Sequence, residues 1–161
     1  MPCLVTNNEQ VIEVYLLLTL LVHVLAAGYN TLKDGRLKAQ WTWRSLSLSL
    51  TGGLLLVFLA LHLQHFKYGP HYRMVTSDKQ VVRDLHRLVV EAFADPWYCS
   101  FYVVSIGALL LHLLGGWKRA VLRLGIPKQY RTGARALGET LAFLVSAAYV
   151  GLIAYAHFDA K

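Results

Sequence analysis

Four apolar stretches run through the chain, at 11–28, 46–68, 97–117 and 137–158, and charged residues return between them. Each stretch has roughly 18 to 23 residues, enough for a helix to cross about 30 Å of hydrocarbon at about 1.5 Å per residue. The runs are Leu-rich and do not alternate apolar with polar, which excludes membrane strands. Trp41, Trp43, Tyr68, Tyr72, Trp97, Tyr98 and Trp117 stand near the ends of the stretches, where amphipathic rings favour the membrane–water boundary. The pattern predicts an all-α fold, an integral membrane four-helix bundle forming one transmembrane domain over 1–161. Between the second and third stretches, 79–93 places apolar residues at Val82, Leu85 and Val89, with Leu88 and Phe93 off that stripe. This predicts a short amphipathic helix that lies on the membrane surface or caps the bundle. Asp95 and Pro96 end it and start the third span, since proline is tolerated in a first helical turn.

Composition and charge agree with a bilayer protein. Of 161 residues 56% are hydrophobic, and 16 Lys+Arg against 9 Asp+Glu give a net charge of +7. The basic residues fall in loops rather than along one stripe, so they set topology and do not form a nucleic-acid footprint. Lys33, Arg36, Lys38 and Arg44 in 29–45 face only Asp34, and 118–136 carries Lys118, Arg119, Arg123, Lys128, Arg131 and Arg135 with no acid. Both segments are expected on the negative side, cytoplasm or matrix, with 69–96 and both termini on the outer side. Cys3 and Cys99 lack the spacing of a disulfide scaffold or a Cys-ligated metal site. Residues 1–10 show no positively charged signal-peptide start and no Arg-rich transit helix.

Histidines inside apolar helices are the candidate chemistry, because an ionisable group in lipid is costly and needs a partner or a metal. His23 lies five residues before Gly28, and His112 five before Trp117. Spans one and three run parallel, so both imidazoles are expected about 7–8 Å below the same boundary. His62 is six residues before Tyr68 on the oppositely directed second span, so it sits near the other boundary, about 13 Å from that level. Two histidines at one depth can grip a haem iron between helices, whereas a single one more often serves as a helix-to-helix hydrogen bond. Gly115 shares a helix face with His112 and leaves room for a ring. Arg44, with Lys118 and Arg119 behind it, can pair with haem propionates. His65, His71, His86 and His157 are expected to be solvated or interfacial. No carboxylate sits mid-span, which argues against a proton pump, and no Walker loop, dinucleotide fingerprint, HExxH motif or nucleophile elbow occurs.

With these residues the chain resembles the cytochrome b membrane anchor of succinate:quinone oxidoreductase, respiratory complex II, in its single-anchor, two-haem form. The resemblance covers about 10–158. It is carried by Ile12-Glu13 with 21–28 (LVHVLAAG), by Thr51-Gly52 with His62 and 61–66 (LHLQHF), and by Asp84-Leu85, Phe93, 96–98 (PWY) and Phe101-Tyr102 ahead of His112-Leu113 and Gly116. The resemblance implies that His23 and His112 ligate a haem b nearest the iron–sulfur subunit, and that His62 ligates an outer haem together with a histidine from a first helix. That first helix has no counterpart here, so a small membrane subunit is expected to supply it, or else His62 serves as a hydrogen-bond partner. The position that carries a proton-conducting glutamate in some relatives is Leu110. The implied role is anchoring of the flavoprotein and iron–sulfur subunits and electron transfer to quinone, with no succinate site in this chain. The implied location is the mitochondrial inner membrane, or the cytoplasmic membrane of a bacterium. Two alternatives stay open: a haem-free structural subunit of a respiratory complex, and the cytochrome b anchor of another dehydrogenase.

Overall fold

The computed structural model describes residues 5–33 and 43–159, with side chains described over 10–30 and 47–159. Among the described residues the fold is all-α: helices α1 (Val5–Lys33), α2 (Trp43–Phe66), α3 (Leu85–Ala94), α4 (Pro96–Arg123) and α5 (Lys128–Asp159), with one two-stranded hairpin between α2 and α3. Among the described residues four stretches are long and apolar enough to cross a membrane: Gln10–Asn30, Ser47–Phe66, Pro96–Arg123 and Lys128–Asp159. The chain divides into two compact units, 1–45 and 46–161. In the first, α1 is apolar around most of its circumference from Val14 to Gly28, and nearly all of its described side chains are exposed, as suits a helix whose solvent is lipid.

In the second unit α4 and α5 form the main pair. Small or slender residues line the contact: Ser105 and Ala108 on α4, and Ala142, Ser146 and Ala156 on α5, are all buried. In lipid, small side chains let two helix backbones approach and pack, because no water-driven force holds them together. The pair is antiparallel. At one end the Trp117 indole donates to the Ala134 carbonyl at 2.8 Å, and at the other Cys99 Sγ lies 3.5 Å from His157 Nδ1. Gly138 accommodates the indole, since a Cβ there would lie 2.0 Å from Trp117 Nε1.

The helices outrun their apolar stretches. Residues 118–123 continue α4 and 128–136 belong to α5, so the expected 118–136 loop reduces to a four-residue link, 124–127. Lys and Arg are good helix formers, and at the wet end of a span their charge carries no burial cost. The stop comes from Gly125, at φ +68° just past the Leu124 cap, and Pro127 sits just before α5.

The expected helix over 79–93 is corrected to a strand followed by a helix. Residues Arg73–Val75 pair antiparallel with Val81–Arg83, Met74 facing Val82 and Val75 facing Val81, and α3 starts only at Leu85. Asp84 caps it, its carboxylate accepting from the Arg87 N–H at 2.9 Å. The buried residues of α3 are Leu88 and Phe93, while Leu85 remains 54% exposed. The stripe through Val82 and Leu85 is therefore not the docking face, because Val82 belongs to a strand. The helix that does form caps the end of the α4–α5 pair. Asp95 and Pro96 act as expected, the Asp95 carboxylate accepting from the Trp97 N–H at 3.0 Å.

Candidate functional site

His112 projects from α4 against a notch in α2. The notch is Gly52, where a Cβ would stand 3.2 Å from the imidazole Cε1. Beside it, Thr51 Oγ1 lies 3.2 Å from His112 Nδ1 and donates its own proton to the Ser47 carbonyl at 2.6 Å. The threonine has one proton and has committed it to the backbone. The bond at Nδ1 therefore runs from the imidazole N–H to the hydroxyl oxygen, which places the ring's lone pair on Nε2. An imidazole whose Nδ1–H is held by an outer partner is the arrangement that fixes a metal-ligating histidine. Gly115, one turn along α4, does not face an open slot. The Leu48 side chain fills that space, at 3.3 Å from where a Cβ would stand.

His23 lies on α1 in the first unit and is exposed. Arg119 is seven residues, about two turns, beyond His112 on the same face of α4, and it is half-buried. Lys118 is exposed and points off that face. Arg44, expected to reach a haem propionate, has its side chain outside the described residues, as do Lys33, Arg36, Lys38, Trp41, Trp43 and Cys3. Among the described residues no three His, Cys, Asp or Glu side chains converge on one point.

His62 stands in a different setting. Its Nδ1 shares a hydrogen bond with the Tyr102 hydroxyl at 3.1 Å, and that hydroxyl shares another with Tyr98 at 3.0 Å. Rings enclose it, Phe66 at 5.0 Å and Phe58 at 5.6 Å between centroids. Tyr102 is the hub of this cluster, buried and edge-on to Phe58 and Phe93. The histidines expected to be solvated are partly engaged: His157 Nδ1 donates to the Phe93 carbonyl at 2.7 Å, and His86 pairs with Asp159 at 3.3 Å.

An open groove of about 560 Å³ adjoins this cluster where α2 ends and α4 begins. Its walls include His65, Asp95, Trp97, Tyr98 and Phe101. Sequence reasoning did not bring these residues together, nor Thr51 with His112, nor Tyr102 with His62. Each depends on the register of α2 on α4, which no local sequence signal carries.

At the base of the hairpin, half-buried Tyr72 and exposed Arg87 and Glu91 form a triad. Arg87 Nε donates to Glu91 at 2.6 Å, and its guanidinium lies 4.5 Å from the centre of the Tyr72 ring. The Tyr72 hydroxyl, and then Arg87, hold the Glu91 carboxyl below the usual carboxylate range, and the same bond to Glu91 pushes the Tyr72 phenol up.

Comparison of the chain with family models, curated proteins and solved structures gives no match.

Proposed function

We propose that the chain is the membrane-anchor and electron-transfer subunit of a succinate:quinone oxidoreductase, holding one haem b between His23 and His112. The observation that carries this reading is the bond from His112 Nδ1–H to Thr51, which turns an intramembrane imidazole into an Nε2 donor of fixed orientation. The donor chemistry fits the group: neutral imidazoles for the iron and a guanidinium, Arg119, on the same helix face for a propionate. When bound, haem b supplies one-electron transfer between an iron–sulfur partner and quinone. The chain's own part is to hold the imidazoles, keep water from them with Leu-rich helix faces, and present basic residues to the soluble subunits. Those residues are Lys118, Arg119 and Arg123 at the end of α4 and Lys128, Arg131 and Arg135 at the start of α5. His62 is assigned as a hydrogen-bond partner of Tyr102 rather than as a second haem ligand, because the Phe58, Phe66 and Tyr102 rings pack around its imidazole. An energy-transducing inner membrane, mitochondrial or bacterial, is the proposed location.

A haem-free structural subunit is the second reading. The Leu48 side chain beside Gly115 favours it, because that packing closes space a porphyrin would use. Purification of the chain with its native partners, followed by mass spectrometry and iron analysis, tests both readings. The first predicts a flavoprotein and an iron–sulfur protein in equal amounts, with one haem iron per chain. Association with a different dehydrogenase, or iron accounted for entirely by the iron–sulfur protein, overturns it.

A further inference from the structure

We propose that the groove between the end of α2 and the start of α4 binds a zwitterionic phospholipid, its cationic headgroup seated on Asp95, Trp97 and Tyr98. The polarity of the groove is ordered along its length. Asp95 and Trp97 stand at the mouth, where the membrane-spanning stretch of α4 begins. Phe101 is one turn deeper along α4 than Trp97, and Leu61 one turn deeper along α2 than His65, about 6 Å in each case. An amphiphile entering from the bilayer would therefore meet apolar walls with its chains and polar ones with its head.

Charge selects the head. Asp95 is the one carboxylate among the described lining residues, and no Lys or Arg lines the groove. A helix N-terminus ordinarily favours an anion. Here that end is already capped, the Asp95 carboxylate accepting from the Trp97 N–H, and Asp95 is itself exposed. Beside it Trp97 is 83% exposed, while the half-buried Tyr98, its ring packed on His65, Phe93 and Tyr102, forms part of the wall. A carboxylate with an exposed aromatic ring near it suits a choline or ethanolamine group, which ion pairing and the ring's π-face both attract. About 560 Å³ accommodates a headgroup, its glycerol and the first chain carbons. The site lies eleven residues or more along α4 from His112, so its occupant requires no haem.

The test uses the full chain in detergent micelles titrated with dibrominated phosphatidylcholine or dibrominated phosphatidylglycerol. The fluorescence lost in Trp97→Phe defines the Trp97 signal. That signal is expected to be quenched at about fivefold lower mole fraction of the choline lipid. Asp95→Asn keeps the helix cap, because Asn caps as well as Asp, and is expected to erase the preference. Native mass spectrometry of lipid retained by wild type and by Asp95→Asn gives the same comparison without Trp97. Equal or reversed quenching by the two lipids, a preference that survives Asp95→Asn, or displacement of the bound lipid by a short-chain quinone each overturns the assignment.

Discussion

Gly138→Ala tests the α4–α5 contact at its tightest point. The added methyl would stand 2.0 Å from Trp117 Nε1 and 2.3 Å from Cδ1 and Cε2. Carbon contacts are comfortable at about 3.5–4.0 Å, so the indole must retreat by about 1.5 Å. It cannot retreat freely, because Nε1 donates to the Ala134 carbonyl at 2.8 Å. Overpacking of this kind costs about 1–3 kcal/mol, and loss of the hydrogen bond adds about 0.5–1.5 kcal/mol. Replacing a helix-interior glycine by alanine returns about 1 kcal/mol. The net expectation is a destabilisation of about 1–3 kcal/mol. The assay is reversible unfolding in mixed micelles, run as a double-mutant cycle with Trp117→Ala. With the indole gone only the helix-propensity gain remains, so Gly138→Ala should then stabilise by about 1 kcal/mol. The reasoning is refuted if the substitution has the same sign and size in both backgrounds.

Further outcomes follow from other contacts. Gly69→Ala places a Cβ 2.0 Å from the His65 carbonyl oxygen, a backbone atom that cannot swing aside, and should cost about 1–3 kcal/mol while loosening the turn after α2; the unfolding midpoint and the near-ultraviolet circular dichroism of the Tyr98–Tyr102 cluster report it. Because the Glu91 carboxyl is held below its usual range when folded, its contribution is present above the unfolded carboxylate pKa and disappears as pH falls through the lower, folded value. Hydrogen exchange in α3 should therefore accelerate on acidification below about pH 4 in the wild type and change less in Glu91→Gln, with a shallow profile because Arg87 and Glu91 are exposed. On the haem reading, Thr51→Val removes the oxygen that receives His112 Nδ1–H and should weaken haem retention by about 10- to 100-fold, while Thr51→Ser preserves it; dialysis against apomyoglobin measures the loss.

What could be read in the sequence follows from how local each signal is. The four spans were legible because a run of about 20 apolar residues has few other fates. Asp95 and Pro96 were legible because a cap and a first-turn proline act within three residues of themselves. The ends of α4 and α5 are not, since polarity alone reads the charged residues at 118–136 as loop. Gly125 and Pro127 held the better signal, a left-handed stop followed by a restart. The hairpin was missed for a related reason. The helical stripe takes in Val82, although three β-branched valines at 75, 81 and 82 about a five-residue turn suit a pair of short strands. Lys79, at φ +58°, shows how tight that turn is. The site was legible only in part. The sequence singled out His112 and Gly115, but only the register of α2 on α4 reveals Thr51 as the partner of His112 and Leu48 as the neighbour of Gly115. The same register turns His62 from a lone intramembrane histidine into a member of a tyrosine-centred cluster.

The central claim is that His23 and His112 hold one haem b, and the reduced-minus-oxidised optical spectrum of the complex purified with its native partners tests it most directly. Wild type should show one b-type haem per chain. His23→Ala and His112→Ala should each abolish that signal, while His62→Ala leaves it in place. Full haem b absorbance in both the His23 and the His112 variants would contradict the assignment.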